Sequence, residues 1–244
     1  MKKNYFLTVS LLIFVVISSF AQETDTVKFK SVWYIGGGGN FNSSWIVHQN
    51  TYGEPLMKYE FTPTFGINAN VGVEAFAHWG FKMELGYALL GQKYNEPQYG
   101  LPANRTINLN YFLLPVMIKY RVGSEKTKFY AMAGPQLGLL LSASQVYKRN
   151  GENAPVYDNS QVGFIDVSKA NITDRYTQAA FFIRMDLGVE LKPSKHFMID
   201  IGLSTAYSVT DLNGTDWRLL DDHGEYHSSH DFYGGLNLGF NYIF

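Results

Sequence analysis

The strongest constraint on the fold is the regular alternation of the final segment, Asp231 to Phe244. Side chains at even positions are large and apolar except at Gly234, whereas those at odd positions are mostly small or polar. The even set is Phe232, Leu236, Leu238, Phe240, Tyr242 and Phe244, and the odd set is Tyr233, Gly235, Asn237, Gly239, Asn241 and Ile243. Successive side chains of a β-strand point to opposite faces, so one face is apolar and the other is mostly small or polar. A strand of this length and pattern is typical of a closed barrel in lipid.

Seven earlier segments share this pattern and are separated by connections that alternate between long and short. The predicted strands are Ser31–Ser44, Pro63–Ala75, Phe81–Tyr94, Arg105–Val122, Lys128–Lys148, Tyr176–Leu191, Phe197–Asp211 and Asp231–Phe244. The long connections are residues 45–62, 95–104, 149–175 and 212–230, and some of the third is expected to form short extra strand. This layout predicts an all-β fold, an eight-stranded antiparallel up-and-down transmembrane β-barrel spanning residues 31–244. The long loops are expected outside the cell and both termini in the periplasm.

Two local features refine this prediction. In the fourth strand Ile107, Leu109 and Tyr111 are expected on the lipid side, and the apolar set then moves to even positions. We interpret that slip as a β-bulge near residues 113–115, where a proline interrupts the run. In the last two strands, outward aromatic pairs stand ten residues apart, which corresponds to roughly 25 Å along the membrane normal.

The N-terminal segment, residues 1–21, is predicted to be a secretory signal peptide. Lys2 and Lys3 precede an almost wholly apolar run from Tyr5 to Ile17, and small residues stand before Gln22. The alternative is a membrane-spanning helix, but the run is shorter than the ~20 residues that a span needs. Residues 22–30 are then a short periplasmic segment, and the predicted location is the outer membrane of a Gram-negative cell.

Composition excludes several other classes of function. Charged residues make up only 17% of the chain and aromatic residues 16%, which suits an outer surface that does not face water. The formal net charge of -1 and the absence of a basic cluster give no reason to expect nucleic acid. With no cysteine, the chain has no disulfide, thiolate metal site or lipid-modified cysteine. We expect no cofactor.

The second face of the strands, the one with the smaller side chains, carries charges of both signs among glycine, asparagine and serine. They are Glu74, Lys82, Glu84, Lys119, Arg121, Arg184, Asp186, Glu190 and Asp200. In the alternative fold, a soluble lipocalin-like barrel with its apolar face inward, this second face would carry many more Lys, Glu, Thr and Gln. We therefore predict that the apolar face meets lipid and that the nine charges pair inside a plugged lumen, with Arg184 pairing with Asp186 or Glu190.

The C-terminal residues Asn237, Gly239, Tyr242 and Phe244 resemble the signal that barrel-assembly machinery reads in outer-membrane barrels. The signal segment ending Phe20-Ala21-Gln22, together with the segment from Asn110 to Arg121, is similar to PorT-type outer-membrane barrels of Bacteroidetes. The resemblance covers essentially the whole mature chain. It implies lipid and the assembly machinery as partners, and it raises a role in a type IX-like secretion or envelope-assembly system as one alternative.

Candidate chemistry is sparse. Three histidines in the fourth loop, His223, His227 and His230, could bind a transition metal, but we favour the simpler explanation of a solvated polar loop. A lipid-modifying enzyme would need a nucleophile and a base near the membrane edge, and the residues of those types include Ser204, Ser208, Ser228 and His230. They form no recognisable constellation. We expect a non-enzymatic barrel with a structural or interaction role at the envelope, with catalysis or a small-ligand conduit as alternatives.

Overall fold

The computed structural model describes residues 31–48, 58–95, 101–153, 156–157, 164–165, 170–218, 220 and 224–244. Eight long strands run through these residues. They are β1 (Val32–Val47), β2 (Pro63–Glu74), β3 (Trp79–Asn95), β4 (Ala103–Gly123), β5 (Thr127–Arg149), β6 (Ala179–Ser194), β7 (Phe197–Ser208) and β8 (His230–Ile243). Two 3-10 turns, Thr173–Arg175 and Thr215–Trp217, lie in the long connections. In the part of the chain described, no helix is long and apolar enough to cross a membrane.

The eight strands form a closed antiparallel ring. Each pairs with its neighbours in sequence, and β1 pairs with β8 from Tyr34 opposite Ile243 to Val47 opposite His230. Closure satisfies the backbone donors and acceptors of both outer strands, which is the condition for a sheet to cross a lipid bilayer. The predicted fold class is confirmed.

Short strands in the long connections lengthen one end of the ring. Lys58–Glu60 pairs with the end of β3, while Glu152–Asn153 and Ala170–Asn171 both pair with the end of β5. A two-stranded ladder joins Val156–Tyr157 to Phe164–Ile165. The extra strands expected in the third loop are therefore present. At this end of the ring, strands β3, β4 and β5 extend further than β6. β6 begins opposite Leu139, whereas β5 continues to Arg149.

The large apolar side chains face outward around the ring. On β7 and β8, for example, Phe197, Ile201, Leu203, Leu238 and Phe240 are all exposed. This orientation excludes the lipocalin-like alternative, in which the same row would point to the barrel axis. The aromatic pairs also align across the strands, with Phe197 opposite Tyr242 and Tyr207 opposite Phe232. Ten residues at ~3.3 Å, tilted by ~40°, separate these two levels by about 25 Å, the height of a lipid-facing band.

The prediction for the fourth strand was wrong. Ile107, Leu109 and Tyr111 have no exposed surface and lie inside the ring, not on the lipid side. Interior and outward positions alternate without a break through β4, so Pro115 causes no slip. The apolar residues change sides because the surroundings change. From Asn110 back to Asn104, toward the start of β4, the outward positions are polar. This places that part of β4 above the lipid and leaves its apolar side chains to fill the interior.

The bulge lies on the neighbouring strand instead. Asn110 of β4 pairs with Ser142 of β5, whereas Tyr111 pairs with Leu140, so Leu141 is the extra residue. Before the bulge, odd-numbered residues of β5 face outward; after it, Ala143, Gln145 and Tyr147 point inward. The extra residue thus rotates the upper part of β5 so that its apolar and aromatic side chains enter the barrel.

The remaining boundaries differ little from prediction. β6 begins at Ala179, three residues later than expected, because the chain before it forms the 3-10 turn Thr173–Arg175. β6 also runs on to Ser194, which shortens the connection to β7. The predicted signal peptide and the segment 22–30 lie outside the described residues.

Candidate functional site

The candidate site is the barrel interior, where all nine predicted charges are buried. They come from five of the eight long strands, namely β2, β3, β4, β6 and β7. They meet because inward positions of a narrow ring face one another. Two ion-pair clusters result, both nearer the short turns than the long loops.

The first cluster is centred on Arg184 of β6. Its Nε and Nη2 donate to the two carboxylate oxygens of Asp186 at 2.9 and 2.8 Å, and its Nη1 donates to Glu84 at 2.7 Å. Lys82 lies 3.0 Å from Glu84 and 3.7 Å from Asp200, whose other neighbour is the Asn241 amide at 2.9 Å. A guanidinium held by two carboxylates in this fork geometry is a strong, orienting contact. Arg184 pairs with Asp186 as predicted, but not with Glu190.

The second cluster lies at the turn end of the barrel. Arg121 forms ion pairs with Glu74 and, at 3.8 Å, with Glu190, while Glu190 also pairs with Lys119. Lys192 approaches Glu74 at 3.2 Å and is more exposed than the other four. The sequence pattern did not predict Lys192, because this residue follows the expected end of the strand at Leu191. Only its position near the end of β6 shows that it faces inward.

The two clusters together are electrically balanced. The acidic members are Glu74, Glu84, Asp186, Glu190 and Asp200, and the basic members are Lys82, Lys119, Arg121, Arg184 and Lys192. Five negative and five positive charges leave no net charge. A buried charge is tolerated only when it has a partner, so this balance is what allows so many charges to be buried in the interior.

Tyrosine side chains and glycines fill the space between the ion pairs. Tyr34 packs over Gly72, and Tyr130 lies over the paired glycines Gly188 and Gly202; a Cβ atom at any of the three glycines would overlap a tyrosine. The Lys119 ammonium lies 5.1 Å from the Tyr34 ring centre and 5.3 Å from that of Tyr130. This explains the glycines as the space that inward aromatic rings need.

Above the charges lies an apolar layer. Phe182 packs edge-on against Tyr111, with ring centres 6.1 Å apart, and also approaches Tyr233 at 6.3 Å. The Tyr233 hydroxyl donates to Gln136 at 2.9 Å. The buried members of the layer are Ile46, Ala88, Leu90, Tyr94, Ile107, Leu109, Tyr111, Leu113, Leu140, Ala143, Ile172, Tyr176, Ala180, Phe182, Ala206, Leu212 and Tyr233. Its members Ile107, Leu109 and Tyr111 are the residues that the sequence pattern had predicted on the lipid side.

The loop end carries a polar cluster around Asp211. Its carboxylate accepts hydrogen bonds from the Tyr226 hydroxyl at 2.6 Å and the Ser229 amide at 3.1 Å, and it pairs with Arg218 at 3.0 Å. The Ser229 hydroxyl donates to the His48 carbonyl at 2.6 Å, which ties the fourth loop to the first. Burial and the hydrogen bond to Asp211 raise the pKa of Tyr226 to about 12, so its hydroxyl remains a donor at neutral pH.

A closed ring with lipid-facing walls and a charge-filled interior is the architecture of an outer-membrane barrel, and the family comparison agrees. Residues 20–214 match the family described as outer membrane protein beta-barrel domain. The chain belongs to this family. The family assignment supports an outer-membrane location; the PorT type and a Bacteroidetes origin are narrower predictions.

Solved structures similar to this outer-membrane barrel include three bacterial proteins. Ail, the attachment invasion locus protein of Yersinia pestis, has 13% sequence identity and a TM-score of 0.43, and the alignment covers 88% of this chain and all of Ail. Neisserial surface protein A has 11% identity and a TM-score of 0.44, with 86% and 96% covered. The N-terminal barrel domain of Pseudomonas aeruginosa OprF has 11% identity and a TM-score of 0.42, with 88% and 97% covered. Comparison with curated proteins finds no match.

The C-terminal motif of the barrel is divided between the two faces of β8. Asn237 and Gly239 point inward, where Asn237 accepts from the Tyr130 hydroxyl at 3.5 Å, whereas Tyr242 and Phe244 are exposed on the outside. The Phe244 amide donates to the Trp33 carbonyl at 3.0 Å and so completes the seam with β1. The role of these residues in assembly stays a prediction.

The structure describes two of the three histidines considered for a metal site, His227 and His230. His223 lies outside the described residues, and the described part of the chain holds no group of three or more residues arranged to bind a metal ion. The His227 ring lies 6.3 Å from that of His48, while His230 stacks on Tyr207 and contacts the Ser208 carbonyl through Nδ1 at 2.9 Å. His230 therefore packs against the end of β7 in this structure.

The serines considered for catalysis are not arranged around that histidine. The Ser208 hydroxyl donates to the Thr210 carbonyl at 3.1 Å and accepts from the Asp231 amide at 3.0 Å, so His230 meets the backbone of Ser208 and not its hydroxyl. Ser204 is buried inside the barrel. Nucleophilic catalysis needs a hydroxyl within hydrogen-bond reach of its base, and the Ser208 hydroxyl bonds to Thr210 and Asp231 instead of to His230.

Proposed function

We propose that this chain is a non-enzymatic integral outer-membrane barrel with a plugged lumen, which holds its long loops outside the cell for contact with a partner. The observation that carries the proposal is the filling of the interior by two stacked layers, one of balanced ion pairs and one of apolar side chains. A solute would have to break several buried ion pairs to pass the first layer, and removing a partner from such a pair costs about 3–5 kcal/mol.

The loop end supports the second half of the proposal. The Asp211 cluster fixes the fourth loop against the first through hydrogen bonds of 2.6 to 3.1 Å. Loops held by a rigid scaffold are the usual position of binding surfaces in proteins of this kind. Outer-membrane lipids surround the wall, and the barrel-assembly machinery is the expected partner during biogenesis through Asn237, Gly239, Tyr242 and Phe244.

Conductance tests the plugged lumen. The purified full chain, inserted into planar bilayers, is expected to show no stable current steps, and liposomes that contain it should retain small sugars. A variant that truncates the apolar layer and the ion pair below it, Phe182→Ala with Arg184→Ala, serves as the matched comparison. Steady conductance by the native chain would contradict the proposal.

The PorT-type assignment remains a narrower proposal, supported by the resemblance of the segment from Asn110 to Arg121. That segment lies on β4, which crosses the membrane and enters the extended end of the sheet. Cross-linking in cells through the loops, followed by identification of captured proteins, tests it. Capture of a large secretion or envelope-assembly complex would favour this role, and capture of lipid alone would favour the plain structural one.

A further inference from the structure

The extended end of the sheet has an outer face of unusual chemistry. Its residues lie in rows across β3, β4 and β5, as the register shows: Leu89, Asn110 and Ser142; Gly91, Asn108 and Ser144; Lys93, Thr106 and Val146; Asn95, Asn104 and Lys148. We call this surface the polar wall. It begins one row above Tyr87, Phe112 and Leu139, which belong to the lipid-facing band.

The boundary between the two surfaces is marked by Tyr87. Its ring is exposed among apolar neighbours, while its hydroxyl donates to the Asn110 Oδ1 atom at 3.0 Å. Asn110 in turn donates to the Ser142 hydroxyl at 2.7 Å. A tyrosine with an apolar ring and a hydrogen-bonded hydroxyl is typical of the membrane–water interface. The polar wall therefore starts where acyl chains end.

The polar wall rises above the hydrocarbon band. From Asn110 to Asn104 the strand rises six residues, or roughly 15 Å along the membrane normal at ~3.3 Å per residue and ~40° of tilt. Its width is three strands at ~4.8 Å each. Hydrocarbon does not reach this level, and the groups beside it are the polar parts of the surrounding lipids.

Hydrogen-bonding capacity on the polar wall is left unused. Thr106, Asn108 and Ser144 are half-buried, outward-facing side chains that make no side-chain hydrogen bond to the described residues. Neighbouring amides and hydroxyls on adjacent strands can donate to and accept from the hydroxyls of a sugar ring. This arrangement differs from the lipid-facing band, whose outward side chains are mostly large and apolar.

Charge at the top of the polar wall is positive. Lys93 and Lys148 belong to its upper rows, and Lys58 stands opposite Asn95 on the adjoining short strand. Among the described residues of these strands the nearby carboxylates are Glu60, opposite Lys93, and Glu152, opposite Arg149. None of these three lysines forms an ion pair with the described residues. Lysines near a membrane surface attract anionic headgroups.

We propose that the polar wall binds the sugar-phosphate headgroup of an outer-leaflet glycolipid, with Thr106, Asn108 and Ser144 contacting sugar hydroxyls and the lysines contacting phosphate. The proposal rests on the loop end facing outward, as in the proposed function, but not on the plugged lumen. The surface is continuous with the lipid-facing band, so a lipid whose chains contact that band already holds its headgroup against the wall.

The test uses the full chain in vesicles of phospholipid alone and of phospholipid with lipopolysaccharide, and measures the temperature at which the heat-modifiable folded band is lost. Native protein is expected to melt higher with lipopolysaccharide. The variant Thr106→Val, Asn108→Leu, Ser144→Ala should melt normally in phospholipid but lose more than half of the lipopolysaccharide-dependent gain. Its outward positions leave the interior intact, so folding in phospholipid reports on stability separately.

A lysine pair provides the matched comparison. Lys93→Gln with Lys148→Gln should reduce the gain, whereas Lys126→Gln with Lys195→Gln, which alters exposed lysines at the short-turn end, should not. An unchanged gain in the polar-wall variant, or no gain in native protein, would overturn the proposal. If native protein forms cross-linked dimers without lipopolysaccharide and the polar-wall variant does not, the polar wall binds a second copy of the chain. That result would overturn the glycolipid proposal. Failure of the conductance test would leave it unaffected.

Discussion

Arg184 shows how single residues stabilise this interior. Its guanidinium satisfies Asp186 and Glu84 together, in an environment where none of the three is exposed to water. The cost of desolvating such a group is recovered only while all partners are present. Each residue of the network therefore depends on its neighbours, and the effect of a substitution is set by what it leaves unpaired.

We expect Arg184→Gln to destabilise the barrel by about 3–5 kcal/mol, because two buried carboxylates lose their cation. Urea unfolding in lipid vesicles, followed by the heat-modifiable gel shift, measures the change. The matched control is Arg218→Gln, since Arg218 pairs with Asp211 at 3.0 Å and 44% of its side chain is exposed; exposed pairs contribute only ~0–1 kcal/mol. Equal effects of the two variants would show that burial does not govern the network.

At the scale of the elements, β4 and β5 decide how the barrel is filled. From its short-turn end to its loop end, β4 leaves the lipid without changing its alternation. Its inward residues change from Arg121 and Lys119 to the apolar run from Leu113 to Ile107, while its outward residues change from apolar to polar. β5 reaches the same result by a different route, because the extra residue Leu141 turns its upper part. The apolar layer depends on both strands.

Cysteine labelling tests the orientation of β4, and the native chain contributes no background because it contains no cysteine. In intact vesicles, Asn108→Cys should react readily with a membrane-impermeant maleimide. Ile107→Cys should be protected inside the barrel, and Phe112→Cys should be protected by lipid. Rapid labelling of Ile107→Cys alongside protection of Asn108→Cys would restore the orientation predicted from sequence and refute the one in the structure.

For the whole molecule, the seam between the first and last strands matters most. Trp45 stands opposite Phe232, with ring centres 5.4 Å apart, and Phe244 bonds to Trp33 at the other end of the same seam. Without this pairing the sheet would expose two edges, and an open edge is not tolerated in lipid.

A double cysteine variant tests closure. Trp45→Cys with Phe232→Cys should form an intramolecular disulfide on mild oxidation, because directly opposed strand residues meet the ~5.5 Å Cα separation that a disulfide requires. On a boiled, non-reducing gel the linked chain should migrate faster than the reduced one. Trp45→Cys with Tyr207→Cys is the control, since these positions lie two strands apart, about 10 Å. No disulfide in the first variant would argue against a closed ring.

Much of this architecture follows from sequence because a strand has a period of two, and period two is visible in any window of ten residues. The alternation of β8, the order of long and short connections and the nine inward charges all depend on local pattern alone. The partners of those charges do not. Arg184 reaches Glu84, a hundred residues away in sequence, only because the ring brings β3 and β6 to face one another.

The sequence by itself determined that each strand has two unlike faces; only the tertiary structure decided what each face meets at each height. Lys192 enters the network because β6 extends further than its composition suggests, and Ile107 to Tyr111 enter the interior because β4 leaves the bilayer. The physical reason is that an apolar side chain is equally well removed from water by lipid or by a packed core. Local pattern records that it avoids water, and the closed ring determines where it does so.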